Sequence, residues 1–290
     1  MRHYCRIDDY IMSLLEMRRM LMKPTVSLIY DFDKTLCAKD MQEYGFISNV
    51  NMTSEEFWES ANKLTKENKM DPVLSYMWLM IERSNATRRP IQRKDFVSLG
   101  KNLELFPGVE AWFDHISKYG EAQGIKIEHY IISSGLREII EGSTIYNKFK
   151  EVFACEFFYD DNGEACWAKN VVNYTTKTQF LFRINKGILD ISENNELNRY
   201  TPEEKRSIPF QNMIYIGDGM TDVPCMKLVK ISGGNSIAVY QEGKKQGTDI
   251  LLEENRVNFT ALADYSIGGE LEQLVCAIID DIRKHLKPKW

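Results

Sequence analysis

The chain has 290 residues, 43% hydrophobic and 27% charged, a balance that excludes a disordered or fibrous protein and suits a soluble globule. At about 100–200 residues per domain, this length fits a large core joined to a smaller partner. A net charge of −5 argues against a nucleic-acid binder that relies on bulk basicity.

Residues 7–22 carry Ile11, Leu14, Leu15 and Met22 at helical spacing, which predicts an amphipathic helix packed on the core. A dimerisation arm is the alternative use of such a helix. Charges recur along this segment and Glu16 interrupts its best apolar run, so no secretory signal is expected. Nor does any stretch approach the roughly 20 apolar residues that cross a bilayer. The six cysteines contain no pair two to four residues apart, so neither a zinc knuckle nor a redox dithiol is expected. Reduced thiols in a cytoplasmic protein are the simplest account. The four histidines stand far apart and read as surface or partly buried residues.

Val26–Tyr30 is the first predicted strand. Residues 41–105 then read as wholly helical. Thr53-Ser54-Glu55-Glu56 has the form of a capping box, with Phe57, Ala61 and Leu64 following on one face. Pro72 opens Val73 to Ile81, apolar nearly all round, as in the central helix of a small bundle. Asp95 to Leu105 is a third helical stretch, ended by Phe106-Pro107-Gly108. Three further apolar runs, Ile127–Ile132, Met213–Ile216 and Ser236–Tyr240, alternate with helical patterns, which predicts βαβ units and a mainly parallel sheet.

Phe153–Tyr159 and Glu164–Val171 flank Asp160-Asp161-Asn162-Gly163 and read as an inserted β-hairpin, its Asn-Gly supplying the positive φ angles. Asn194 to Pro209 is polar, contains Pro202 and reads as a long surface loop. The expected class is therefore α/β: a Rossmann-like parallel sheet core at 24–38 and 106–290. An all-helical domain is inserted at 39–105 and a helical extension precedes the core at 1–23.

Chemistry concentrates where strands end. Tyr30-Asp31-Phe32-Asp33-Lys34-Thr35 puts Asp31 and Asp33 on one side at the carboxyl end of the first strand, where open parallel sheets bind ligands. Two unit charges about 4 Å apart repel by roughly 4 kcal/mol at an effective dielectric near 20. A cation or a shared proton must relieve them. Gly217-Asp218-Gly219-Met220-Thr221-Asp222 closes another strand, its glycines allowing close approach of a ligand and Asp222 opening the next helix. Four carboxylates thus meet at one sheet edge, an oxygen-only set that suits a hard cation such as Mg²⁺ rather than zinc. Ser133-Ser134-Gly135 follows a third strand and offers a hydroxyl and N–H groups at an expected helix start, an anion site. Lys177 opens a helical pattern closed by Gly187 and could neutralise a phosphoryl oxygen.

The order Asp31-x-Asp33-x-Thr35, Ser133, Lys177, Gly217-Asp218-Gly219-x-x-Asp222 resembles the four motifs of the haloacid dehalogenase superfamily of phosphohydrolases. The helical insertion resembles that superfamily's helical cap. The resemblance implies that Asp31 is the nucleophile, taking the phosphoryl group as an aspartyl-phosphate. It implies that Asp33 is the general acid and base, an acid that true dehalogenases lack. Ser133 would bind a phosphoryl oxygen, with Ser134 the alternative one residue on. Lys177 would hold the charge of the phosphoryl group and of Asp31, in preference to Lys169 or Lys186. Asp218 would ligate Mg²⁺ with Asp31 and the carbonyl of Asp33, and Asp222 would support the metal shell.

Phosphoserine phosphatases carry a substrate-reading glutamate shortly after the first motif, and Asp40 holds that place here. Arg83, Arg88, Arg89, Arg93 and Lys94 read as a solvated charged face. The expectation is a cytoplasmic, Mg²⁺-dependent phosphatase of a small phosphorylated metabolite, with no nucleic-acid or membrane partner. The alternatives are a phosphomutase using the same carboxylates and a non-catalytic module that binds a metabolite or partner.

Overall fold

The computed structural model describes residues 23–286, so the predicted helix at 7–22 lies outside the described residues. Seven strands make one sheet: β1 (Thr25–Tyr30), β2 (Lys126–Leu136), β3 (Glu151–Tyr159), β4 (Ala165–Asn170), β5 (Met213–Gly217), β6 (Asn235–Tyr240) and β7 (Phe259–Leu262). Their order is β4-β3-β2-β1-β5-β6-β7, and every pairing is parallel except β3 with β4. Tyr30 is in register with Ile131 on one side and Ile216 on the other, which brings the three strand ends level. β5 is buried at every residue and β1 from Val26 onward, so both faces of the sheet are covered.

Between β1 and β2 the chain is largely helical, and sequence sets the boundaries. α1 (Ser54–Asn68) starts at a complete capping box, Thr53 accepting from the Glu56 N–H at 3.2 Å while Glu56 accepts from the Thr53 N–H at 2.8 Å. α2 (Pro72–Ala86) starts at Asp71, which accepts from the N–H groups of Val73 and Leu74, with Pro72 in the first turn. The third predicted helix is shorter than expected. α3 (Arg93–Leu99) gives way to a 3₁₀ turn, Gly100–Asn102. The chain there turns extended to pair with its own outgoing leg, through Ala38 N–H to Glu104 O and Phe106 N–H to Leu36 O, both 3.0 Å. These bonds form a two-stranded neck below the helical segment.

Beyond a single helical turn at Phe46–Asn49, further α-helices are α4 (Val109–Ala122), α5 (Arg137–Glu141), α6 (Lys177–Lys186), α7 (Asn194–Asn198), α8 (Val223–Ile231), α9 (Gln246–Glu253) and α10 (Glu270–His285). α4 lies on β2 and meets α10, while α8 lies on β5 and β6 and meets α6. Under α4 runs a buried polar chain: Trp112 Nε1 donates to Tyr30 Oη (2.8 Å), which meets His129 Nδ1 (3.0 Å), whose Nε2 meets Ser117 (3.1 Å). His129 is thus a core residue, not a surface one. Tyr265, also buried, donates its hydroxyl to Thr35 O and its N–H to Pro107 O, each at 2.8 Å.

Other expectations change. β2 runs on through Ser133-Ser134-Gly135 to Leu136, which pairs with Cys155, so these residues end a strand and the helix starts only at Arg137. The hairpin is no separate insertion: β3 pairs with β2, and β4 forms one edge of the main sheet. In its turn only Gly163 has positive φ (75°), because Asp160 accepts from the N–H groups of Asn162 and Glu164 and sets a turn closed by Gly163 N–H to Asp160 O. The 194–209 stretch is not a free loop either. α6 anchors it through Arg183 to Asn194 Oδ1 (2.8 Å) and Lys186 to Leu197 O (2.6 Å), and Ile208 is buried.

Candidate active site

The site is built on the level carboxyl ends of β1, β2 and β5. Asp31 follows β1, its N–H donating to Ile216 O of β5 at 2.9 Å, and is itself buried. Lys177, at the start of α6, is wholly buried and places Nζ 3.0 Å from Asp31 Oδ1 and 2.7 Å from Asp222 Oδ1. Tyr215 of β5 donates to the same Asp222 oxygen at 2.7 Å. One oxygen each of Asp31, Asp218 and Asp222 lie within 4.8 Å of one another.

Gly217 makes this gathering possible: a Cβ there would stand 2.6 Å from Asp222 Oδ2. It therefore clears space for a carboxylate rather than for a ligand, while Gly219 has nothing within 4 Å to crowd it.

Three clustered carboxylates face one buried ammonium, and Asp222 Oδ2 is buried without a hydrogen-bond partner. Burial, then the Asp222 charge, pushes the Asp31 carboxyl up to about 6 against the pull of Lys177. Burial and the Asp222 and Asp31 charges hold the Asp218 carboxyl well above its usual range. For Lys177, burial alone would favour the neutral amine, but Asp222 and Asp31 more than offset it and raise its pKa. An oxygen-only set with surplus negative charge and an unpartnered carboxylate oxygen fits a hard divalent cation.

Asp33 stands apart from that cluster. Its Oδ1 accepts from Met41 N–H at 3.0 Å, and Cys37 Sγ lies 3.7 Å away. Burial, then Asp40 and Asp31, hold its carboxyl well above the usual range. Across from it, a Cβ on Gly135 would meet the Met41 methyl at 2.2 Å and Asp33 Oδ2 at 3.0 Å, so a side chain there would have to displace Met41 and crowd the Asp33 carboxylate. Ser133 is buried and its Oγ accepts from Gly135 N–H at 3.0 Å. The Ser134 Oγ has no hydrogen-bond partner, while its carbonyl accepts from Tyr76 of α2 at 2.7 Å.

Asp40 lines the same cavity but is already paired, 2.6 Å from Lys34 Nζ. Lys34, between the two aspartates and the neck, takes a left-handed φ of 57°. The cavity measures about 350 Å³ and brings Asp31, Asp33, Ser133, Ser134, Gly135 and Asp218 together. Lys177 and Asp222 do not line it: both are wholly buried, and Lys177 reaches the cavity only through its ion pair with Asp31. Several lining residues carried no motif: Gln42, Trp58, Thr65, Tyr76 and Tyr174. A second stripe beside the apolar face of α1, Trp58-Asn62-Thr65, was the signal available for part of this wall. The five basic residues from Arg83 to Lys94 do not line it.

A family model described as haloacid dehalogenase-like hydrolase matches residues 28–227. An uncharacterized protein of Borreliella burgdorferi is 32% identical over 274 residues, covering 85% of this chain and 93% of that one. A HAD family hydrolase from Salmonella enterica superposes with a TM-score of 0.57 at 18% identity, covering 89% of this chain and 72% of its own. A substrate-bound phosphoserine phosphatase superposes with a TM-score of 0.55 at 14% identity, covering 92% of this chain and 100% of its own.

Proposed function

We propose, since this chain belongs to the haloacid dehalogenase-like hydrolase family, that it hydrolyses a small phosphate monoester with Asp31 as nucleophile. One observation carries the reading: a buried ammonium, Lys177, is held between Asp31 and Asp222 at the carboxyl edge of the sheet, with Asp218 beside them. A phosphoryl group arriving there meets a fixed positive charge in a site shielded from water, which is the principal need of phosphoryl transfer.

In the proposed sequence, an Asp31 oxygen bonds to phosphorus as the ester oxygen departs with its electron pair. Asp33, steadied by the Met41 N–H, gives that oxygen its proton. Asp33 then takes a proton from the water that attacks the aspartyl-phosphate, and phosphate and free Asp31 result. Ser133 and the strand end at Ser134-Gly135 hold phosphoryl oxygens. Asp31, Asp218 and Asp222, with the Asp33 carbonyl, would hold Mg²⁺, which when bound draws negative charge from the phosphoryl oxygens. The helical segment serves as a cap that keeps water from the leaving-group side.

With Mg²⁺ present, the protein is expected to release phosphate from p-nitrophenyl phosphate. Asp31→Asn is expected to abolish turnover, and Asp33→Asn to slow it by about 10²–10⁴-fold. An Asp31→Asn protein as active as the parent would disprove the assignment of the nucleophile.

A further inference from the structure

We infer that the esters accepted here carry an uncharged alcohol with a flat, unsaturated face, and that leaving groups bearing a carboxylate or an ammonium are turned away. This rests on the phosphatase reading above and narrows it to a substrate class.

The charges on the cap side of the cavity are already spoken for. Lys34 is the only basic residue among the described residues lining it, and its Nζ is 2.6 Å from Asp40. A leaving group with a carboxylate therefore finds no free cation. An ammonium finds Asp40 already neutralised and Lys34 beside it. A charge enclosed without a free opposite partner loses its hydration and recovers little. An uncharged group escapes both penalties.

What remains on that side is aromatic and amide surface. α1 turns Trp58 inward and α2 turns Tyr76 inward, their rings edge-to-face at 5.9 Å, and Tyr174 stands at the rim. Trp58 Nε1 is a buried donor without a partner. Gln42 is 2% exposed, lines the cavity, and its Oε1 is a buried acceptor without a partner. Unpartnered buried polar atoms are uncommon in folded proteins, and the residues lining this cavity carry these two besides Ser134 Oγ. A ring stacked on Trp58 with a polar edge towards Gln42 would satisfy both the apolar and the amide surfaces.

The test compares alkyl esters whose leaving oxygens are all carried on CH₂: benzyl phosphate, O-phospho-L-serine, phosphocholine and ethyl phosphate, with p-nitrophenyl phosphate as control. Benzyl phosphate is expected to exceed the serine and choline esters in kcat/KM by at least about tenfold. Trp58→Ala is expected to lower kcat/KM for benzyl phosphate by about tenfold, chiefly through KM, and for ethyl phosphate much less. Trp58→Phe should keep the preference, which separates loss of a ring from loss of the fold. If p-nitrophenyl phosphate is hydrolysed but phosphoserine or phosphocholine is the better alkyl substrate, this inference is overturned and the phosphatase reading stands. If no ester is hydrolysed, the phosphatase reading fails and this inference falls with it.

Discussion

Lys177 is the residue on which the site's electrostatics turn. It is fully buried, and both its partners are buried carboxylates. Removing one member of such a pair leaves uncompensated charge, so Lys177→Met is expected to cost about 3–5 kcal/mol in urea unfolding. The remaining cluster, Asp31, Asp218 and Asp222, has no other ammonium within ion-pair distance among the described residues. A divalent cation that binds only the folded state stabilises it by mass action, about 2.7 kcal/mol at a hundred times its Kd. Added Mg²⁺ is expected to raise the urea midpoint of the parent protein, and Asp218→Asn to abolish that rise. An equal rise in both proteins would place the ion elsewhere.

At the scale of elements, the helical segment is tied down by more than its neck. Ile91 accepts a hydrogen bond from Ala165 N–H of β4 at 2.8 Å, and Arg93 of α3 pairs with Glu141 of α5. Beside that pair α3 and α5 touch backbone to backbone. A Cβ on Gly142 would stand 1.7 Å from Val97 O, and one on Gly100 2.1 Å from Ile139 O. Gly142→Ala must therefore push α3 off α5. It is expected to lower catalytic efficiency and stability together, whereas Thr53→Ala, which loses only a helix cap, should cost about 1 kcal/mol with little effect on turnover. Thermal unfolding and kcat/KM of the two variants check this.

These elements also show what sequence could reveal. α1 and α2 were readable because Thr53, Glu56, Asp71 and Pro72 act on their nearest neighbours in the chain. The aspartate motifs were readable because their spacing is itself the geometry of a strand end. By contrast, β2's extension to Leu136 depends on a partner, Cys155, supplied by a distant strand. The cavity wall of Gln42, Trp58 and Tyr76 is a tertiary product with no local pattern of its own. Gly217 was legible as important, but its purpose, space for Asp222, required the fold.

Across the whole molecule, the buried polar chain under α4 makes stability depend on pH. Burial lowers the His129 pKa from 6.5 to about 4. Above 6.5 the ring is neutral folded or unfolded. As pH falls from 6.5 towards 4 the unfolded chain takes up a proton that the folded one refuses, so stability is lost at about 1.4 kcal/mol per pH unit. Asp31 acts in the opposite sense over its own window, since its folded pKa is raised. The difference between the parent and His129→Gln isolates the histidine. The variant's urea midpoint is expected to fall less than the parent's between pH 6.5 and 4.

The strut from Tyr265 to Thr35 spans 230 residues of sequence. At roughly 5–20 residues per second, translation of that interval takes on the order of ten to fifty seconds. Throughout it the nascent polypeptide holds the Asp31 loop without the hydroxyl that will anchor it, even after Asp218 and Asp222 have been added. The anchor at Thr35 O therefore forms only once residue 265 has been added, later than the Ile216 and Lys177 contacts that hold Asp31 itself.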